Sequence, residues 1–228
     1  DISWESKSVI KYYYDCTYPH CRRDGIIDLS KTSKKTDDEY FPPLKNINFQ
    51  KYEFSNIDQI SYRDAIIKSM EDLAREGAIF IGYNVRFGNA MGTLKNISDE
   101  QKLETPVAEN LMTGLAIGMS FEGFIPVLYF ERHDFMLVAA DAIINHIDKI
   151  ERISHGEFKV PLIIRAVTAD AGPFYSGITH SQDFTKLFKK GVSFPVIDPK
   201  DGLEVLSAFK NARKSCRPVM IIERKSLY

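Results

Sequence analysis

Apolar residues in the first part of the chain follow no period. Residues 1–60 mix Lys, Asp, Asn and Ser with scattered aromatics, and the stretch KTSKKTDDEYFPPLKN combines charge clusters with Pro42-Pro43. Such a segment reads as a linker or wrapping arm. Its Tyr12, Tyr13, Tyr14, Tyr18, Tyr40, Phe41, Phe49, Tyr52 and Phe54 predict that it docks on a neighbouring domain or chain, because aromatics suit an interface core. From Ser61 the pattern changes. Ile66, Ile67, Met70, Leu73 and Ala74 recur at helical spacing between a Ser61 cap and Gly77. AIFIG (78–82) is a short apolar strand, followed by the Gly- and Asn-rich loop RFGNAMGTLKN. A second helix is predicted from a Thr105 cap and Pro106 to Gly123, and a third from Phe135 to Ile153. Strands are predicted at IPVLYF (125–130), PLIIRAV (161–167), FPVID (194–198) and VMIIE (219–223), with helices around 183–189 and 201–215.

Five short apolar strands alternating with helices predict an α/β domain over residues 61–228: an open, mostly parallel sheet with helices on both faces. Ligands of such sheets sit outside the carboxyl ends of the strands. The loops 83–104, 131–134, 168–182 and 198–201 are therefore where chemistry is expected.

Composition narrows the class. The 228 residues hold 30 Lys+Arg against 31 Asp+Glu, a formal charge of −1, which gives no electrostatic footprint for nucleic acid. A hydrophobic share of 44% supports a real core. No apolar run approaches the ~20 residues that span a bilayer, so no membrane partner is expected. The chain opens at Asp1 rather than Met, as a fragment would. Three cysteines are too few for a disulfide framework and fit a reducing cytoplasm. Cys16 and Cys21 bracket His20, but Cys216 stands alone, so no zinc-site spacing is completed and no metal ligand is assigned.

Individual motifs leave two readings each. Glu109 is the single ionisable residue in PVAENLMTGLAIGMS (106–120), where Gly114 and Gly118 would let another backbone approach. It is either a first-turn carboxylate complementing the helix dipole or a carboxylate kept in an apolar setting for a ligand. ERHDF (131–135) is either a solvated loop with a cap at Asp134 or part of a strand-end site. His180 in GITHSQ is either polar surface or a proton-transfer group. Neither GxGxxG, GxxxxGK[ST] nor GxSxG occurs.

Taken in order, SYRDAIIKSMEDL, IGYNVRFGNAMG, ETPVAENLMTGLAIGMSFEGFIPVLYF, DAIINHIDKI, PLIIRAV, GITHSQ and RPVMIIERKSLY resemble the pyrimidine-binding domain of transketolase-like thiamine diphosphate enzymes. The resemblance is greatest to the beta subunit of the thiamine-dependent component of 2-oxoacid dehydrogenase complexes, and it covers about residues 60–228. It implies that Glu109 contacts the aminopyrimidine of thiamine diphosphate and promotes the tautomer whose exocyclic nitrogen removes the thiazolium proton. It also implies that Phe135 packs on the pyrimidine and that His180 handles protons during acyl transfer.

Three departures qualify what the resemblance implies. Glu131, Arg132 and His133 stand where the family is usually apolar, which makes Arg132 and His133 candidates for a polar substrate or acceptor. The IGYNV loop lacks the acidic residue common after that Gly, and the chain ends at Tyr228 where family members continue. There is also no GDG…N signature. Magnesium and the diphosphate are therefore expected on a partner domain or subunit, in a homo- or hetero-oligomer acting on a small 2-oxo acid or ketose. The implied function is decarboxylation and acyl transfer of the 2-oxoacid dehydrogenase type. A ketol transferase or carboligase of a specialised pathway, and a non-catalytic scaffold of the same fold, are the alternatives.

Overall fold

The computed structural model describes residues 47, 49–54, 59–170 and 176–228. Most of the predicted arm, together with Cys16, His20 and Cys21, lies outside these residues. Helix α1 (Tyr62–Arg75) starts where the Ser61 hydroxyl accepts the Asp64 N–H, and it ends at Glu76 before Gly77, whose φ of 86° suits glycine. Strand β1 (Ala78–Gly82) follows. A loop leads to β2 (Lys102–Glu104), then come helix α2 (Glu109–Phe121) and strand β3 (Ile125–Phe130). A 3-10 helix (His133–Ala139), a π-helical turn (Ala142–Ile147) and the short α3 (Ile150–Ile153) precede β4 (Ile163–Thr168). The chain closes with α4 (Thr185–Gly191), β5 (Val196–Ile197), α5 (Gly202–Ser215) and β6 (Val219–Arg224).

The six strands form one sheet in the order β2-β1-β3-β4-β6-β5, and every pairing is parallel. Side-chain alternation splits the core in two. Phe80, Val127, Tyr129, Val167 and Ile221 face α1 and α5; Ile81, Leu128, Phe130, Ile164 and Ile222 face α2, the 3-10 helix and the π turn. Helices thus cover both faces, as predicted. Gly202 is required where α5 begins, because a Cβ there would stand 2.2 Å from the Ile60 carbonyl oxygen.

Four sequence expectations change. A sixth strand, β2, lies in what reads as loop. The helix predicted from Pro106 begins at Glu109, with Ala108 rather than Thr105 at the cap position, because the Thr105 N–H donates to the Gly82 carbonyl and prolongs the sheet ladder. The helix predicted over 135–153 is broken into three pieces. Its widened turn ends at buried Asp148, whose carboxylate accepts both the N–H and the hydroxyl of Ser193 at 2.6 and 2.7 Å. The described stretch of the arm docks on this domain itself. Phe49 and Phe54 pack on the core, Gln50 and the Asn211 amide exchange two hydrogen bonds, and Lys210 Nζ stands 4.2 Å from the Tyr52 ring centre.

A charged pair lies inside the α1/α5 side of the core. Arg165 on β4 donates to Glu223 on β6 from Nε at 2.6 Å and from Nη2 at 2.9 Å, and both side chains are wholly buried. Nη2 also donates to Thr93 Oγ1, the Tyr228 hydroxyl donates to Glu223, and the guanidinium lies over the Tyr129 ring. Removing one partner of such a pair strands a charge in the core, at a cost of about 3–5 kcal/mol. We therefore predict that Glu223→Leu lowers stability by about that amount in urea unfolding, with the denaturant slope unchanged. Arg165→Met combined with Glu223→Leu should recover most of the loss. A Glu223→Leu single variant as stable as the parent would show that the pair does not hold the sheet together.

Candidate functional site

The connection after β1 runs to β2 on one side, and that after β3 runs to β4 on the other. The carboxyl ends of β1 and β3 are therefore the switch point, where open α/β sheets bind ligands in a crevice. Gly82 ends β1 at a φ of 156°, and a Cβ there would stand 2.7 Å from the Tyr129 carbonyl oxygen on β3. Glycine thus lets the two strands close up directly beneath the crevice.

Beyond Gly82 the loop is tied down from β2. The Glu104 carboxylate accepts the N–H groups of Asn84 at 2.5 Å and Arg86 at 2.7 Å. Asn84 then donates from Nδ2 to Glu131 Oε2 at 2.9 Å, which joins the loop after β1 to the residue after β3. Arg132 folds back on the same residue, with Nη1 donating to the Glu131 carbonyl at 2.8 Å and lying 3.6 Å from its carboxylate. Its Nε is buried and has no hydrogen-bond partner among the described residues.

Glu109 opens α2 and is 5% exposed. No described residue forms a hydrogen bond or ion pair with its carboxylate. Its setting is visible through Tyr83, whose buried hydroxyl also has no hydrogen-bond partner among the described residues. Burial first, then the charges of Glu131 and Glu109, raise the Tyr83 phenol above its ordinary range and keep it protonated. The crevice thus holds one buried carboxylate and an unpartnered phenol, a set that can receive a donor–acceptor edge of a ligand.

The second cluster lies on the 3-10 helix, which packs against α2. Phe135 is half-buried, and its ring meets His180 edge-on with centroids 5.1 Å apart. His180 Nδ1 is 2.9 Å from the Thr179 hydroxyl. These two sequence candidates are brought together although they are far apart in the chain. His133 is placed differently. It is fully buried, and its Nδ1 accepts the Phe184 N–H at 3.1 Å, with Thr168 Oγ1 at 3.5 Å and Asp183 at 3.7 Å. A ring nitrogen that accepts an amide proton carries none, so the neutral ring holds its proton on Nε2.

Sequence reasoning assigned no role to Tyr83, Asn84, Gln182, Asp183 or Arg224 and left Asp134 either as a cap or as part of a strand-end site. Asp134 accepts the Gln182 N–H at 3.3 Å and Gln182 Nε2 at 2.9 Å. Arg224 at the end of β6 ties together Asp198 at 2.7 Å, Asp183 at 3.2 Å and Asp170 at 3.6 Å. The position of Asp134 beside Phe135 was the one available signal, because its partner lies on a distant loop.

Fold and site together define an open parallel α/β domain that presents, at the switch point of its sheet, a nearly buried carboxylate with no partner among the described residues. Residues 58–228 match the family described as "Transketolase, pyrimidine binding domain", and the chain belongs to that family. Among its relatives is the mitochondrial pyruvate dehydrogenase E1 component subunit beta of Pisum sativum, 26% identical over 182 residues, or 77% of this chain and 50% of that one. The corresponding subunit of Drosophila melanogaster is 29% identical over 179 residues, or 75% and 48%. The 2-oxoisovalerate dehydrogenase subunit beta of Bacillus subtilis is 27% identical over 176 residues, or 74% and 53%. The chain therefore spans about half the length of the curated relatives it matches. A solved structure described as a split gene transketolase, inactive beta4 tetramer, shares the fold, with a TM-score of 0.57 and 22% identity over 73% of this chain and 52% of that one.

The environment of His133 gives a signed pH dependence. Burial first lowers its pKa from 6.5 to about 4, while Asp183 and Asp134 act in the opposite direction. Between those two values the unfolded chain binds a proton that the folded chain refuses. Stability contributed by the neutral ring is therefore full above about pH 6.5, falls as the pH drops to about 4 and levels off below, a change of about 3 kcal/mol. Unfolding measured from about pH 7 to about pH 4 should show this slope in the parent and a flatter one in His133→Phe. Equal slopes would place the titration elsewhere.

Proposed function

We propose that this chain is the pyrimidine-binding part of a thiamine diphosphate-dependent enzyme of the 2-oxoacid dehydrogenase type, which decarboxylates a 2-oxo acid and transfers the acyl group. The single observation that carries this reading is the Glu109 carboxylate, buried at the head of α2 with no partner among the described residues. A nearly buried carboxylate without a protein partner is available to a ligand donor, and an aminopyrimidine ring would supply that hydrogen bond. The neighbouring groups fit such a ring, with Tyr83 offering an unpartnered hydroxyl and Phe135 a half-buried aromatic face on the adjoining helix.

Bound thiamine diphosphate supplies a carbon nucleophile and an electron sink. Glu109 would hold the pyrimidine and share a proton with its ring nitrogen, in an apolar setting that strengthens the bond. Phe135 would limit the ring's tilt. His180, half-exposed at the mouth, would give or take a proton at the substrate's oxygen. Arg132, whose side chain is partly exposed beside Glu131, would offer a donor to a substrate carboxylate. His133 stands behind the mouth and would act on the substrate only through the loop it holds. The diphosphate and magnesium would be held by a partner domain or subunit.

A second reading, a ketol transferase or carboligase, draws on the Glu131–Arg132 pair, which makes the crevice more polar than an acyl pocket needs. A non-catalytic scaffold would require none of Glu109, Phe135 and His180. In the enzyme assembled with its diphosphate-binding partner, thiamine diphosphate and magnesium, a panel of 2-oxo acids and ketoses separates the readings. Glu109→Gln should fold normally, yet slow deuterium exchange at the thiazolium carbon by about 100-fold or more. Exchange at the parent rate would remove Glu109 from this role.

The partner is expected to pack on α2. Met112, Ala116 and Ile117 face the sheet, whereas Leu111 (58% exposed), Leu115 and Phe121 are exposed on the domain surface. A Cβ at Gly114 or Gly118 would meet nothing within 4 Å. Glu109 lies on the opposite, buried side of the same helix, and a domain that reaches the head of α2 to complete the cofactor site would also cover this exposed apolar face. Gly118→Leu should therefore leave the chain folded while light scattering shows loss of the assembly. An unchanged assembly mass would exclude this face.

A further inference from the structure

The segment 176–184, which carries His180, has little of its own to hold it. It contains no helix or strand before Thr185, the His180 N–H donates to Gly177 within the same turn, and the imidazole's hydrogen-bond neighbour is adjacent Thr179. Such local bonds move with the segment and do not locate it. Among the described residues, it is attached by three consecutive residues that open the 3-10 helix after β3, which meet alternate residues of the segment. His133 accepts the Phe184 N–H at 3.1 Å, Asp134 accepts both donors of Gln182, and Phe135 meets the His180 ring. Arg224 adds a fourth hold through Asp183 at 3.2 Å.

We propose that Asp134 is a positioning residue for His180, acting through Gln182, with His133 as the second anchor of the same segment. The inference deepens the function proposed above and rests on it for the role of His180. Asp134 suits the task because it is nearly buried and receives a backbone donor and a side-chain donor of one residue, fixing that residue's orientation as well as its place. Hydrogen bonds to an ionised carboxylate are the stronger kind. His133 suits its task because the ring is neutral and sealed from solvent, so a constant acceptor faces the Phe184 N–H near pH 7. Between them, Asp134 and His133 hold Gln182 and Phe184 and so help to keep the His180 ring against Phe135. A misplacement of about 1 Å in a reacting group can cost about 100-fold in rate.

The test uses the enzyme assembled with its partner and compares Asp134→Leu with Asp134→Asn, which keeps an acceptor oxygen. Three quantities are read: amide exchange over residues 178–184, deuterium exchange at the His180 ring carbon between the two nitrogens, and turnover. Asp134→Leu should speed both exchanges by about tenfold and lower kcat by about 10- to 100-fold, with half-saturating thiamine diphosphate unchanged. Asp134→Asn should restore most of each. Should Asp134→Leu fail to fold, Gln182→Leu removes one of the same bonds and should shift all three in the same direction. Faster amide exchange with His180 ring exchange and kcat at parent values would overturn the inference, as would no change at all. Ring exchange needs no turnover. Loss of the ring's restraint would therefore support the positioning role even if the assembled parent turned over no 2-oxo acid, a result that would count against the proposed function alone.

Discussion

A fully buried arginine in the middle of a parallel sheet can exist only if another group answers its charge, and here Glu223 does so from the next strand. Two charges out of water gain little net stability over apolar residues of the same size. The pair therefore matters less for energy than for what it orients. Arg165 reaches past β3 to Thr93 Oγ1, and the Thr93 hydroxyl in turn donates to the Ala90 carbonyl at 2.7 Å. That carbonyl lies in a turn where Asn89, Ala90 and Met91 all take left-handed backbone angles, with φ of 50°, 47° and 56°. Each such residue costs roughly 1–2 kcal/mol, so the turn needs outside support. The ion pair provides part of it, and Lys102 provides more by donating to Asn89 Oδ1 at 2.7 Å.

The same loop brings Tyr83 and Asn84 to the crevice. The buried ion pair and the candidate site are thus two ends of one structure, with rigid charge pairing on one side of the sheet and unanswered polar groups at its carboxyl edge. Tyr83 and Arg132 each keep an unpartnered buried polar atom among the described residues, as Arg165 Nη1 and the Tyr129 hydroxyl do beside the ion pair, while Glu104 and Glu131 are engaged in holding the loop after β1.

Much of this was legible in the chain. The five apolar strands announce themselves because strands covered on both faces need continuous apolar runs, and the Ser61 cap does what its side chain predicts. Glu109 could be singled out as a lone charge in an apolar helix. β2 could not, because a three-residue edge strand reading Lys-Leu-Glu needs no apolar run. The break in the helix after Phe135 also stayed hidden, since Asp148 is drawn to Ser193 on a distant segment. The anchoring roles of His133 and Asp134 stayed hidden for the same reason. Their partners lie 51 and 48 residues away, and no local pattern records a contact of that reach.

The contacts between residues 133–135 and 180–184 advance by one residue on the sheet side and by two on the loop side. This ratio works as a ruler. An insertion of one residue between His180 and Phe184 would leave every amino acid available but shift the register, putting the neighbours of Gln182 or His180 opposite Asp134 or Phe135. Composition at the exposed positions of this segment can therefore drift widely, whereas its length cannot change by a single residue without unseating the imidazole.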